Sequence, residues 1–118
     1  MWTTDTVEGQ WELVLGMPDN LVDAEMPRTA HTRPELRQLY PLVSHGSLSF
    51  SRCIRFPWLD DVGTIYRRGE GYLVRRASDG AVLGTPATVE EAVDLIVANL
   101  PAGTGPAIDG TADDVPQG

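Results

Sequence analysis

The periodicity of this chain changes at Pro41. Before it, apolar residues recur at helical spacing, with Val7, Trp11, Val14 and Leu15 on one face. After it, Leu48, Phe50 and Arg52 point one way while Ser47, Ser49, Ser51 and Cys53 point the other. A 3.6-residue period and a two-residue period belong to different elements. The chain is therefore expected to be α+β, an antiparallel meander of about four strands with helices from both ends packed on it.

Local signals divide the two parts further. Asp5 with Glu8 has the spacing of a capping box, and Gly16 followed by Pro18 stops the first helix. A second short helix is expected after Asp23, with Pro27 tolerated in its first turn, and Pro34 opens a third. Pro57 breaks the first strand run. Gly63–Tyr66 and Tyr72–Arg76 then read as strands, and Ser78-Asp79-Gly80 turns the chain into Ala81–Leu83. Thr88 and Glu91 form a second capping box, ahead of a stripe of Ala92, Val93, Ile96, Val97 and Leu100 that ends at Pro101. These signals predict one domain over residues 1–118: a helical part at 1–40, a sheet at 44–85, a helix at 88–100, and a loop-like tail at 101–118 with little to bury.

Charge narrows the function. The net charge of −8 argues against nucleic acid as a partner. All nine basic residues lie between Arg28 and Arg76, where only Glu35, Asp60, Asp61 and Glu70 oppose them. Every one is an arginine. Coding bias accounts for that on the bland reading. On the sharper one, a cationic middle receives a carboxylate-bearing ligand, because guanidinium groups bind carboxylates in a bidentate fork. The polar residues after Met1 and the lack of a long apolar run predict no signal peptide and no membrane span, and the single Cys53 predicts a cytoplasmic setting.

No motif declares a chemistry by itself. His31, His45 and Cys53 have no recognisable metal-ligand spacing, so no metal is expected. Cys53 reads as a half-buried structural thiol. The glycines at 103 and 105 follow a helix instead of opening one, which removes the helix dipole a phosphate loop needs. Trp2, Trp11 and the Phe56-Pro57-Trp58 segment supply aromatic surface, whose plain reading is core or dimer packing.

A resemblance adds to this. Arg33-Pro34-Glu35-Leu36-Arg37-Gln38-Leu39-Tyr40-Pro41 leads into Ser44-His45-Gly46-Ser47-Leu48-Ser49-Phe50-Ser51-Arg52-Cys53. With Phe56-Pro57-Trp58, Thr88-Val89-Glu90-Glu91-Ala92-Val93, Leu100-Pro101 and Gly105-Pro106-Ala107, the chain resembles a family of small actinobacterial natural-product biosynthesis proteins. The resemblance is to the lysinoalanine synthases of the duramycin and cinnamycin group of lanthipeptides.

The resemblance implies an enzyme that acts on a modified lanthipeptide precursor containing dehydroalanine and hydroxyaspartate. A lysine ε-amine adds to the dehydroalanine of the same peptide, an aza-Michael addition that needs no cofactor. Holding the peptide at near-attack distance supplies much of the acceleration, and a base takes the amine proton. The hydroxylated aspartate of the substrate is one candidate base, which would make the reaction substrate-assisted. On this reading Arg28 and Arg52 orient anionic groups, and His31 and His45 are candidates for proton transfer. Phe50, Trp11 and Trp58 are candidates for apolar peptide contacts. The Ser44-His45-Gly46 and Phe50-Ser51-Arg52 patterns also admit a purely structural reading. A homodimer is expected, because so small a domain has little concave surface of its own. Two other classes stay open: a non-catalytic protein that escorts the modified peptide, and an immunity-like interaction module.

Overall fold

A computed structural model describes residues 3–59 and 61–115. Trp2, one of the expected aromatic contributors, and residues 116–118 of the tail lie outside the described residues. The fold is α+β. Three helices, α1 (Val7–Leu15), α2 (Glu25–His31) and α3 (Pro34–Arg37), precede five strands. The strands are β1 (Tyr40–Ser44), β2 (Ser47–Ser51), β3 (Thr64–Arg68), β4 (Gly71–Arg76) and β5 (Ala81–Gly84), and α4 (Val89–Ala98) follows. The sheet is a meander in the order β1-β2-β3-β4-β5, every pair antiparallel.

The strand count is five, against an expectation of about four, and the sheet begins at Tyr40. The added strand is β1, whose residues Tyr40–Val43 are all buried. A strand covered on both faces shows no alternation, and Pro41 speaks against a strand from sequence alone. Pro41 is tolerated because β1 is an edge strand, paired only with β2. That edge is covered by α1. Gln10, fully buried, donates from Nε2 to the Pro41 carbonyl at 2.9 Å and accepts at Oε1 from the Thr4 N–H at 2.8 Å. The indole N–H of Trp11 donates to the carbonyls of Arg37 and Leu39 at 2.9 and 3.0 Å. A buried polar side chain left unpaired costs about 1–3 kcal/mol, so these bonds fix where α1 lies.

Helix α1 is capped one residue later than expected. Thr6, not Asp5, is the N-cap, its hydroxyl accepting from the Gly9 N–H at 2.9 Å. Gly9 permits the approach, since a Cβ there would sit 2.8 Å from the Thr6 hydroxyl oxygen. Thr88 caps α4 as the spacing predicts, accepting from the Glu91 N–H at 3.2 Å and donating to its carboxylate at 3.1 Å. From α4, Val89, Ala92, Val93 and Ile96 enter the core beside Leu48, Phe50, Ile65 and Val74 of the sheet. Each fully buried Val or Ile contributes on the order of 1.5–3 kcal/mol. Among the described residues no helix packs on the opposite face of β2 and β3, which carries Ser49, Thr64 and Tyr66.

The tail after α4 is not a free loop. Ile108 bridges Cys53 in parallel, with Ile54 N–H to Ile108 C=O and Ile108 N–H to Arg52 C=O both at 3.0 Å. Arg55 N–H reaches Gly110 C=O at 3.0 Å, and Ala107 N–H reaches Gln38 C=O at 2.8 Å. Gly110 and Val115 are buried, so the tail has more to bury than its composition suggests. Cys53 is likewise fully buried, not half-buried, and lies 3.4 Å from the Ser51 hydroxyl.

Candidate functional site

The docking of the tail opposite α1 builds a cleft. The docked tail and helix α1 line a cavity of about 760 Å³, with His31 at the end of α2 and Arg37 of α3 also at its wall. Its volume falls in the range of small-molecule sites. Trp11 and Leu15 of α1 and Ile54, Pro106 and Ala107 opposite give it apolar walls. His31, at the C-terminus of α2, stands edge-on to the Trp11 ring with centroids 5.1 Å apart. The indole is pinned by its two backbone carbonyls, so the imidazole packs against a fixed surface.

Charge is arranged around these walls. Asp5, Glu8 and Glu12 lie along the α1 side and Asp109 on the tail side. Asp109 is held by Arg55 at 2.6 Å. Arg37, exposed on α3, is the cavity's guanidinium and has no ion-pair partner among the described residues. The cleft therefore offers an apolar stretch, an imidazole, several carboxylates and one unpaired guanidinium. Such a set suits a peptide carrying an amine and a carboxylate, because each charge finds its opposite at the wall.

The residues nominated from sequence separate into four places. Trp11 and His31 share this cleft. His45 and Trp58 lie instead on the open face of the sheet, along a cavity of about 570 Å³. His45 is exposed at the β1–β2 turn with φ of 52°, a left-handed conformation followed by Gly46 at 81°. The indole N–H of Trp58 is buried and has no hydrogen-bond partner among the described residues. Arg28 lines a third cavity with Arg67.

Phe50 and Arg52 are interior, which corrects their expected roles. Phe50 is 2% exposed and packs on Trp11 at 6.2 Å between centroids, so it offers a peptide no surface. Arg52 is 7% exposed and already paired. Its Nε donates to Asp61 Oδ1 at 3.2 Å, and a second, shorter contact joins its terminal nitrogen to Asp61 Oδ2. A guanidinium neutralised inside the protein is not available to orient a substrate anion.

Sequence reasoning missed Arg37 and Asp109. Arg37 stood in the quoted run as one arginine of the cationic middle, with nothing to single it out. Asp109 sits in a Gly- and Pro-rich tail, and only its pairing with residues 52–55 brings it to the cleft. Among the described residues no group of three His, Cys, Asp or Glu side chains could hold a metal ion. No helix among them is long and apolar enough to cross a membrane.

The fold and cleft define a class: a small α+β protein whose five-stranded meander is covered on one face by helices, with a lateral cleft closed by its own tail. The chain belongs to a family of unknown function (DUF6193), whose model matches residues 5–111. The match takes in α1, the whole sheet, α4 and the tail that closes the cleft. No curated protein and no solved structure matches the chain.

Proposed function

We propose that the protein is a cytoplasmic, cofactor-independent cyclase that forms a lysinoalanine crosslink in a modified lanthipeptide, working as a homodimer. The observation that carries this reading is the cleft: His31 beside a fixed Trp11, carboxylates along one edge and unpaired Arg37 at another. The lysine ammonium is drawn to Glu8, Glu12 and Asp109, and a carboxylate of the peptide pairs with Arg37. The apolar walls hold the intervening chain. The nitrogen loses a proton and bonds to the dehydroalanine β-carbon, and the α-carbon gains a proton. Atoms balance without an oxidant or a leaving group.

Only one of the two histidines is in the cleft, and no nominated guanidinium is. This favours a protein that mainly positions its substrate, with the hydroxylated aspartate of the peptide taking the proton. The same observation keeps a second reading alive, a non-catalytic protein that binds and escorts the modified peptide. Self-association is supported by the open sheet face, where Phe56 is 75% and Tyr66 36% exposed. Among the described residues no Asp, Glu or Arg lines the cavity there, so burying its wall against a second copy strands no carboxylate or guanidinium of that wall.

One experiment separates the enzyme from the escort. The addition leaves the mass unchanged, so the uncrosslinked peptide is incubated with the protein and fragmented. The enzyme removes backbone fragments between the linked residues, whereas an escort binds the peptide and leaves the full fragment ladder. Sedimentation at micromolar concentration tests the dimer, and a monomer with full activity refutes it.

A further inference from the structure

The third cavity, about 520 Å³, lies between the α1–α2 connection, the start of α2, the β1–β2 turn and β3. Its walls carry two guanidinium groups, Arg28 and Arg67, and three carboxylates, Asp19, Asp23 and Glu25. One part is pre-organised. The Asp23 carboxylate accepts from Arg67 at 2.6 Å, from the Tyr72 hydroxyl at 3.0 Å and from the Glu25 N–H at 3.1 Å. The Arg67 guanidinium also lies over the Tyr72 ring, 5.6 Å from its centroid. Arg67 is thus held through Nη1, which donates to Asp23 and, at 3.4 Å, to the Tyr72 hydroxyl, while its Nε and Nη2 donors make no hydrogen bond among the described residues.

The other charges are uncommitted. Arg28, Asp19 and Glu25 have no ion-pair partner among the described residues. Space is also kept open at the wall, because nothing lies within 4 Å of where a Cβ on Gly46 would be. A dianion entering this cavity meets three carboxylates, and a dication meets two guanidinium groups. Only a ligand bearing both signs satisfies both sets.

We infer that this cavity is a binding site for a zwitterion whose ammonium and carboxylate are several bonds apart. Arg28 and Arg67 receive the carboxylate, and Asp19 and Glu25 receive the ammonium. Free amino acids with a distal amine and the lysine end of a peptide share this chemistry. The site is separate from the cleft of the proposed cyclase and stands or falls independently of it.

The test is a titration of the isotope-labelled full chain with 6-aminohexanoate, followed by backbone amide shifts, with adipate and cadaverine as single-sign controls. Shifts confined to residues 19–28, 46 and 67 at about 10 mM zwitterion, and absent with either control, are expected for a weak specific site. Arg28→Gln and Glu25→Gln should each weaken binding about tenfold, a typical loss for one charge-assisted contact. Arg68→Gln, outside the cavity, should leave it unchanged. Tighter binding of L-lysine than of an acetylated peptide ending in lysine assigns the free amino acid, and the reverse assigns the peptide end. Either order supports the site. Absence of shifts, binding of cadaverine as tight as that of 6-aminohexanoate, or unaltered binding by Arg28→Gln overturns it.

Discussion

Replacing Asp61 by Asn should destabilise the protein far more than it impairs any binding. Asp61 and Arg52 are 19% and 8% exposed at their side chains, so the pair is largely withdrawn from water. Removing one partner of such a pair leaves an uncompensated charge and costs about 3–5 kcal/mol. Asp61 keeps some solvent contact, which places the expected loss near the lower end, about 3 kcal/mol. For a urea slope of about 2 kcal/mol per molar, the midpoint falls by about 1.5 M. Arg52→Met should cost a similar amount, because it strands the carboxylate. The double variant Arg52→Met with Asp61→Leu should recover most of the loss, since an apolar pair of similar volume needs no charge compensation. Urea unfolding followed by tryptophan fluorescence gives all four stabilities. Single-variant losses under about 1 kcal/mol would refute the buried-pair argument. So would an Arg52→Met protein of unchanged stability that no longer binds peptide, because Arg52 would then be serving a ligand.

Three further outcomes follow from named contacts. Thr88→Ala should lower stability by about 1 kcal/mol, checked by urea midpoint, because it removes the cap of α4. Trp11→Phe should cost more than Trp11's buried area alone implies, since it strands the Arg37 and Leu39 carbonyls; an unfolding loss under about 0.5 kcal/mol would contradict it. Burial pushes the Asp23 carboxyl up, but the Glu25 N–H, the Tyr72 hydroxyl and Arg67 together hold it below its ordinary value of 3.8. A carboxyl depressed in the folded state stabilises above the unfolded value and loses that stabilisation as pH falls through the folded one. The stability gap between the parent and Asp23→Asn should therefore be full at pH 7 and close below about pH 4; a gap that stays constant into acid contradicts it.

Helix α4 was legible in the sequence because cap, stripe and terminating proline all agree over one short window. Strand β1 was not, because burial on both faces erased the alternation and Pro41 argued for a break. The tail was misread for a different reason: its bonds to residues 52–55 and to Gln38 span more than fifty residues, and local composition carries no trace of them. The interior fate of Arg52 had a signal. Its place in the alternation beside Leu48 and Phe50 put a charge on the core face, which demands a partner, and Asp61 is nine residues on. Of the residues that line the cleft, Trp11 and His31 were nominated from the sequence, the first for apolar contact and the second for proton transfer. Arg37 and Asp109 reach it only through tertiary pairing, so spacing could not select them from the other arginines and aspartates.

In the proposed function a peptide is held and cyclised in the cleft between α1 and the docked tail. The direct measurement is the rate of crosslink formation, by fragmentation, for the parent, Arg37→Gln, His31→Ala and His45→Ala, each with its peptide affinity. Arg37→Gln should be impaired most and should bind more weakly, by about 2 kcal/mol or more for a lost charge partner. His31→Ala should lose less than the roughly 100-fold expected of a true general base, and His45→Ala should match the parent. Full rates for Arg37→Gln and His31→Ala, with turnover abolished by His45→Ala in a folded protein, would place the reaction on the open face of the sheet and contradict the account.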